Sequence, residues 1–220
     1  MTQLGGRTCL ITGASSGLGA HFARTLSSAG ARVVLAARRL DRVQALAEEI
    51  RATGGDAFPV ALNVSDEKSV VSAYDVAGHA FGTVDTIIAN AGVVAPGRST
   101  EVPVEALRNV LDTNILGVMI TAREGARRLI ASGSRDLGRG RIVIIGSITA
   151  EMTGQGDAMY SASKAAVAHM GRTLAREWVR QGVNVNIIQP GYIDTELAGD
   201  VHDMAAALRA HDRQYGLAGK

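Results

Sequence analysis

Cysteine, lysine and aromatic residues are scarce in this 220-residue chain. The single cysteine, Cys9, excludes an internal disulfide, and its place in an apolar run indicates an ordinary buried side chain. Long apolar runs are also absent. The first apolar stretch is short and ends at Gly13, so the sequence predicts neither a signal peptide nor a membrane span. We therefore expect a soluble protein of a reducing, cytoplasmic compartment.

Charge of one sign is not in large excess either. The 23 lysine and arginine residues against 21 acidic residues leave a net charge of +2. The densest basic group, Arg123, Arg127 and Arg128, shares a helical pattern with Glu124, so we interpret it as a solvated helix face. We expect no nucleic-acid, membrane or metal partner. With 46% hydrophobic residues, the whole of residues 1–220 is predicted to form one domain.

Apolar, β-prone runs alternate with helical patterns along the chain. Six runs predict strands, at Thr8–Thr12, Arg32–Ala37, Phe58–Leu62, Asp85–Ala89, Arg141–Ile145 and Asn184–Ile188. Helices are predicted up to about Ala29, at Asp41–Ala52, from a Ser65 cap to about Phe81, from Pro103 to about Ile130 with a bend at Gly117, and from about Ala158 to Gln181. A polar stretch, Gly133–Gly140, is predicted to be a surface connection. Strands that are apolar on both faces need cover on both sides, which predicts an α/β fold with a single Rossmann-type, doubly wound parallel sheet of at least six strands in three α/β/α layers.

A glycine-rich turn follows the first predicted strand and precedes a helix. It runs Gly13-Ala14-Ser15-Ser16-Gly17-Leu18-Gly19. Glycine lets the backbone turn tightly and approach a ligand, and the free N–H groups of a helix N-terminus favour a pyrophosphate. Tight turns need glycine in any case, but the order of strand, turn and helix favours nucleotide binding.

Tyr160 and Lys164 lie four residues apart in the helical pattern after the fifth strand. On a helix they share one face, which brings the phenol near the ammonium. A nearby ammonium stabilises a phenolate and lowers its pKa, and such a tyrosine can act as a general acid or base. Since this spacing arises by chance in roughly one such sequence in twenty, other motifs have to support it.

Together the motifs resemble those of the short-chain dehydrogenase/reductase family, over about residues 7–195. The matching residues are Thr12-Gly13-x-x-x-Gly17-x-Gly19, Asn90-Ala91-Gly92, Asn114, Ser147, Tyr160-x-x-x-Lys164 and Pro190-Gly191, in the family's order and spacing. The resemblance implies a nicotinamide cofactor and hydride transfer to or from a carbonyl or alcohol carbon. It implies a small ketone or alcohol as substrate, with 3-oxoacyl compounds as one candidate class.

The resemblance also implies a role for each catalytic candidate. Tyr160 would protonate the carbonyl oxygen and Ser147 would polarise it. Lys164 would lower the pKa of Tyr160 and bind the nicotinamide ribose. Asn114 would hold a water that links Lys164 to solvent; alternatively its amide only satisfies helix backbone, as Ser147 could only cap a turn. The implied cofactor-binding residues are Gly13, Ser15, Ser16, Gly17, Leu18, Gly19, Arg38, Arg39, Asn63, Val64, Asn90, Ala91, Gly92, Tyr160, Lys164, Pro190, Gly191, Ile193 and Thr195.

The end of the second strand bears on the choice of cofactor. An acidic residue there binds the ribose 2′-hydroxyl and repels a 2′-phosphate, but here Ala37 is followed by Arg38 and Arg39. Arg38 can pair with a 2′-phosphate, which favours NADP(H) over NAD(H); the alternative is that both arginines are merely solvated. Two residues depart from the family pattern: Ser16 stands where some members have a second basic residue, and Asn63 where aspartate is more common.

The C-terminal stretch also departs from the family pattern. Asp200–Ala210 is predicted as a helix with no seventh strand after it, so the substrate-covering segment, about residues 192–220, is expected to be reduced or truncated. The resemblance implies a homodimer through the helices at about Val104–Ile130 and Ala158–Gln181, unless the alanines of the second helix only pack on the sheet. A homotetramer would need the interface that uses the seventh strand.

The expected substrate pocket is mostly apolar, which favours a small or medium hydrophobic compound. Its candidate wall residues are Val93, Val94, Thr149, Met152, Met159 and Tyr192. Two other classes of protein were weighed. A non-catalytic nucleotide sensor or scaffold on the same fold would not need Ser147, Tyr160 and Lys164 intact. A sugar-nucleotide epimerase or dehydratase would need a longer C-terminal substrate domain.

Overall fold

The computed structural model describes residues 3–154, 156–193 and 195–197. Within them, six strands form one sheet: β1 Thr8–Thr12, β2 Arg32–Ala37, β3 Ala57–Ala61, β4 Thr86–Ala89, β5 Gly140–Ile145 and β6 Val183–Ile188. All adjacent strands are parallel, in the order β3-β2-β1-β4-β5-β6, which confirms the predicted doubly wound sheet. Successive strands are added toward one edge of the sheet from β1 to β3 and toward the other edge from β4 to β6. Folds of this kind open a ligand crevice at that switch point, between β1 and β4. The helix predicted at Asp200–Ala210 and the question of a seventh strand lie outside the described residues.

Helices cover both faces of the sheet. They are α1 Gly17–Ser28, α2 Leu40–Ala52, α3 Glu67–Phe81, α4 Val104–Val110, α5 Gly117–Ala131, α6 Ser134–Leu137 and α7 Ala158–Trp178. A π-helical turn, Leu111–Leu116, joins α4 to α5, and 3-10 turns at Ile148–Ala150 and Val179–Gln181 flank α7. Helices α1 and α2 pack on one face and α3, α5 and α7 on the other, which confirms the three predicted layers. In the described part of the chain, no helix is long and apolar enough to cross a membrane.

Side chains of the central strand β1 alternate between the two faces of the sheet. Leu10 packs with the residues under α3, α5 and α7, whereas Cys9 and Ile11 pack with those under α1 and α2. None of the three is more than 1% exposed, as expected for a parallel sheet that is covered on both sides. Burial raises the pKa of the Cys9 thiol to about 11, so the prediction of an ordinary buried cysteine is confirmed.

Three local predictions change in detail. Asp66, not Ser65, caps α3: its carboxylate accepts from the Lys68 N–H at 3.0 Å, because an Asp side chain reaches the backbone two residues on. The stretch Gly133–Gly140 is not a plain connection, since it contains the short helix α6 between two left-handed glycines. The bend expected at Gly117 is a π-helical turn that ends just before it.

The arginine group of α5 is only partly solvated. Glu124 is 5% exposed, and its carboxylate binds both Arg127 and Arg128, at 2.7 and 2.6 Å. Arg128 also binds Asp75 of α3 at 2.7 Å. The interpretation as a solvated face is therefore wrong for Glu124. Its carboxylate is the centre of an ion-pair cluster that ties α5 to α3, because a buried carboxylate needs partners for its charge.

Candidate active site

The carboxyl ends of the strands open onto one groove of about 1090 Å³. Most of the predicted site residues line it: Gly13, Ser15, Ser16, Gly17, Leu18, Arg38, Arg39, Asn63, Val64, Asn90, Ala91, Gly92, Val93, Val94, Ser147, Thr149, Tyr160, Lys164, Pro190, Gly191, Tyr192, Ile193 and Thr195. The sequence reasoning missed further lining residues, namely Ala37, Leu62, Thr113, Ile145, Gly146, Ile148, Gly154, Asp157, Glu196 and Leu197. Because the sheet is parallel, motifs far apart in the sequence meet at this single edge.

Four predicted site residues do not line the groove. Gly19 and Asn114 lie behind its wall, where they support other residues. Met152 and Met159, predicted as pocket wall, require correction. Met152 follows a 3-10 turn and its side chain is largely solvent-exposed, while Met159 precedes Tyr160 on α7 and so points about 100° away from it.

The glycine turn is packed tightly against the residues that follow β4. A Cβ atom on Gly19 would lie 2.3 Å from the Gly13 carbonyl oxygen, and one on Gly13 would lie 2.9 Å from Cα of Ala91, so both positions require glycine. The Thr12 hydroxyl accepts the N–H groups of Asn90 and Ala91, both at 3.0 Å. The side-chain amide of Asn90 in turn donates to the Thr12 carbonyl at 2.9 Å. Asn90 and Gly19 thus hold the shape of the turn.

The N-terminus of α1 opens into the groove. Ser16 occupies the N-cap position of α1, but the Ser16 hydroxyl does not cap the helix. That hydroxyl accepts a hydrogen bond from the Arg39 guanidinium at 2.8 Å. The first N–H groups of a 12-residue helix are therefore left for an anion, together with the positive end of the helix dipole. This arrangement fits the pyrophosphate of a dinucleotide.

Ser147, Tyr160 and Lys164 form what we call the catalytic end of the groove. The Ser147 hydroxyl accepts from the Thr149 N–H, at 3.2 Å, and from the Thr149 hydroxyl, at 3.0 Å. Ser147 therefore does cap a turn, as the alternative prediction held, and it is also near enough to the Tyr160 hydroxyl to affect its pKa. The Lys164 ammonium lies 5.5 Å from the centre of the Tyr160 ring and donates to the Ile145 carbonyl at 2.9 Å.

The pKa values at the catalytic end do not follow the simplest expectation. Burial raises the pKa of Tyr160 above its ordinary value, although the bond from Ser147 opposes the shift. Burial also lowers the pKa of Lys164 from 10.5 to about 8. In the protein alone, the pKa of Tyr160 shows no lowering by Lys164, and the expected effect of this lysine stays a prediction. Its ammonium faces the ring and a backbone carbonyl rather than the phenol oxygen, so desolvation decides the direction.

Asn114 lies in the π-helical turn and is fully buried. Its amide accepts from the Val93 N–H at 2.8 Å and donates to the Val93 carbonyl at 2.9 Å and to the Ser163 hydroxyl at 3.0 Å. Ser163, also buried, was missed by the sequence reasoning; the one available signal was its place beside Lys164. The Asn114 amide therefore fixes the segment after β4 against α7, and one lone pair of its oxygen remains for a water.

Arg38, Arg39 and Glu196 line the opposite side of the groove, and Arg42 pairs with Glu196; we call these four residues the arginine end. The exposed side chain of Arg38 lines the groove, as predicted. Arg39 instead lies across the glycine turn and donates to the Ser15 hydroxyl at 3.0 Å. Glu196 binds both Arg39 and Arg42, and Arg42 holds the pKa of this carboxyl below its usual range.

Asn63 and Val64, which the resemblance gives as cofactor-binding residues, have structural contacts of their own. The Asn63 side chain accepts from the Ser65 N–H at 3.2 Å, and its backbone N–H donates to the Ser69 hydroxyl. Val64 is buried, and its side chain would be 2.7 Å from a Cβ atom on Gly117. Both residues line the groove through a loop that these contacts hold in place.

A doubly wound parallel sheet with an uncapped glycine turn and a Ser–Tyr–Lys group on the same edge defines a dinucleotide-binding oxidoreductase. A family model described as short chain dehydrogenase matches residues 7–206. The chain belongs to the short-chain dehydrogenase/reductase family, and it is an oxidoreductase acting on hydroxyl or carbonyl groups. The resemblance stated from the motifs is thereby confirmed.

Relatives of known sequence and structure agree over most of their length. The chain is 37% identical over 208 residues, 93% of its length and 80% of the relative's, to a cis-4-hydroxycyclohexanecarboxylate dehydrogenase of Sinomonas cyclohexanicum. A short-chain type dehydrogenase/reductase from Mycobacterium marinum superposes with a TM-score of 0.86 at 35% identity, covering 93% of this chain and 80% of that one.

Two further solved structures carry a nicotinamide cofactor. A short chain dehydrogenase from Burkholderia cenocepacia, in complex with NADP, has a TM-score of 0.82 at 34% identity and covers 89% of this chain and 78% of that one. A 3-ketoacyl-(acyl-carrier-protein) reductase from Brucella melitensis, complexed with NADH, has a TM-score of 0.83 at 30% identity, with coverages of 89% and 79%. Related groove architectures therefore accept cofactors with and without a 2′-phosphate.

Proposed function

We propose that the protein is an NADP(H)-dependent oxidoreductase that interconverts a small or medium hydrophobic ketone and the corresponding secondary alcohol. The observation that carries this proposal is the meeting of Ser147, Tyr160 and Lys164 at one end of a groove whose other end holds an uncapped helix and exposed arginines. A non-catalytic nucleotide sensor would not require these three side chains together.

In the proposed reaction the Tyr160 hydroxyl donates its proton to the substrate oxygen during reduction. Its raised pKa keeps this hydroxyl protonated at neutral pH, as an acid must be. The Ser147 hydroxyl bonds to the same oxygen and stabilises the negative charge that develops on it. Bound nicotinamide would supply or accept the hydride. Lys164 would hold the nicotinamide ribose, and its charge then favours the phenolate that remains after proton transfer.

The groove supports a nicotinamide dinucleotide as the cofactor. The open N-terminus of α1 would bind the pyrophosphate, and Gly13 and Gly17, both with positive φ, let the backbone approach it. Arg38 and Arg39 follow β2, where the ribose 2′ position lies in such folds. Two cations and no acidic residue directly after the strand support a preference for NADP(H).

The substrate class is proposed from the wall of the catalytic end. Lining residues that follow β4, β5 and β6 include the apolar side chains of Val93, Val94, Ile148 and Tyr192, with Thr149 and Asp157 as polar neighbours. They support a hydrophobic ketone or alcohol, and cyclic and 3-oxoacyl compounds are the first candidates because the compared dehydrogenase and ketoacyl reductase bear those names. The test is a panel of cyclic ketones, 3-oxoacyl esters and secondary alcohols, followed by nicotinamide absorbance with NADPH and NADH. Absence of turnover across the panel, with cofactor bound, would favour the sensor function.

We further propose a homodimer of a cytoplasmic protein, in which the helices α4–α5 and α7 pair with their symmetry mates. Three apolar side chains on the α4–α5 stretch support it, since Val104, Leu111 and Leu116 are each at least 40% exposed. An interface of this kind is self-complementary about a two-fold axis. Light scattering at micromolar concentration is expected to give the mass of a dimer, and Leu116→Glu is expected to shift it to a monomer. A parent protein that is monomeric would refute the pairing.

A further inference from the structure

The segment Thr195–Leu197 folds back onto the glycine turn. Its Thr195 side chain lies 3.3 Å from where a Cβ atom of Gly17 would be. Glu196 and Leu197 line the same groove. This contact brings a carboxylate from beyond β6 to the end of β2, although more than 150 residues separate the two parts of the chain.

Glu196 occupies two of the three arginines that follow β2, Arg39 and Arg42. One carboxylate oxygen is 2.7 Å from Nη1 of Arg42, and the other is 3.2 Å from Nη1 of Arg39. Arg39 is held over the turn by Ser15 and Ser16 as well, at 3.0 and 2.8 Å. A carboxylate and a phosphate make the same charge-assisted bonds to a guanidinium, so both anions would use the same donors.

We propose that Glu196 is a specificity-determining residue that competes with the cofactor 2′-phosphate for Arg39 and Arg42. This inference rests on the proposed binding of a nicotinamide dinucleotide. A 2′-phosphate takes these arginines only by displacing the carboxylate, and it is repelled for as long as the carboxylate stays. A ribose 2′-hydroxyl meets neither obstacle. Glu196 therefore weakens the binding of NADP(H) but not that of NAD(H). It reduces the preference for NADP(H) over NAD(H) that the arginines alone would produce.

The size of the effect follows from the exposure of the three side chains. Glu196 is 57% exposed, Arg39 43% and Arg42 45%. Ion pairs this exposed are weak, because water screens them and long side chains lose freedom on pairing. We therefore expect Glu196→Gln to tighten NADPH binding by roughly two- to tenfold, and to leave NADH binding unchanged within about twofold.

The test is the equilibrium dissociation constant of each cofactor, measured by calorimetry on the full chain. NADPH and NADH differ only in the 2′-phosphate, so the ratio of their constants isolates the proposed competition. Glu151→Gln is the matched control: it removes an equally exposed carboxylate, which pairs with Arg172 at 3.5 Å and does not line the groove. This control is expected to leave the ratio unchanged.

A second comparison separates competition from simple repulsion. When Arg39 and Arg42 are both replaced by Gln, Glu196→Gln should tighten NADPH binding by less than it does in the parent. An undiminished gain in that background would overturn the competition. So would a Glu196→Gln variant whose NADPH affinity is unchanged or weaker, or whose NADH affinity rises equally. A parent that binds neither cofactor would instead refute the proposed function, and this inference with it.

Discussion

The two ends of the groove are built in different ways. At the catalytic end, Lys164 is 4% exposed and Asn114 and Ser163 are fully buried, and their polar atoms bond to backbone and to one another. At the arginine end, Arg39 and Glu196 are both about half exposed and pair at the surface. A buried polar network that is satisfied holds one geometry, whereas exposed ion pairs exchange partners easily. Under the proposed function, a rigid region would carry the chemistry and an adaptable one would set the choice of cofactor.

The largest effect is expected from Tyr160→Phe, which removes the transferable proton and keeps the ring. Turnover should fall by about 10²–10⁴-fold, the usual contribution of general acid–base catalysis. Cofactor affinity, measured by calorimetry, should be retained because the arginine end and glycine turn are untouched. Near-normal turnover on any substrate that the parent accepts would show that Tyr160 is not the acid.

The rigidity of the catalytic end can be tested with Asn114→Ala. This change removes the partners of the half-buried Val93 N–H and carbonyl and one of the two bonds of the buried Ser163 hydroxyl. Unsatisfied buried groups cost about 1–3 kcal/mol each, so we expect a loss of about 2–4 kcal/mol in the free energy of unfolding, measured with urea. Ser163→Ala, which removes a single partner, should cost less. Equal stabilities for parent and Asn114→Ala would contradict a rigid catalytic end.

The adaptability of the arginine end can be tested with Arg38→Asp. The variant loses a charge-assisted bond to the 2′-phosphate and adds repulsion, so NADPH affinity should fall by roughly ten- to a hundredfold while NADH affinity changes little. Arg38→Gln is the matched variant without the new negative charge, and its NADPH affinity should lie between those of the parent and Arg38→Asp. Equal affinities of the parent for NADPH and NADH would remove the basis for this argument.

Per pH unit, the smallest expected effect is a change of stability with pH that only the buried end shows. The folded pKa of Lys164, about 8, lies below its ordinary value of 10.5. Between these pH values the unfolded chain keeps a proton that the folded protein has released, so stability rises with pH. Relative to Lys164→Met, the free energy of unfolding of the parent should rise across this window by at most about 1.4 kcal/mol per pH unit. A difference that falls with pH would contradict the burial of this ammonium.

Predictability from sequence also divides along these two ends. The Tyr160–Lys164 spacing was recognisable because helical periodicity is local, and the glycine turn because its residues are contiguous. The pKa of Tyr160 was not predictable, since it depends first on the burial of Tyr160 and also on the Lys164 ammonium donating to the Ile145 carbonyl. The same holds for Asp66 and Ser65, where two residues of capping type stand side by side and the fold selects one.

Local patterns were therefore sufficient for the six parallel strands, the three layers and most of the residues that line the groove, because side-chain periodicity and turn residues act over a few positions. Only the tertiary structure decided which partners those residues have. Asn114 meets Ser163 across 49 positions of sequence, and Glu196 meets Arg39 across 157. Contacts at such separations depend on how strands and helices pack, and no periodicity within a segment encodes them.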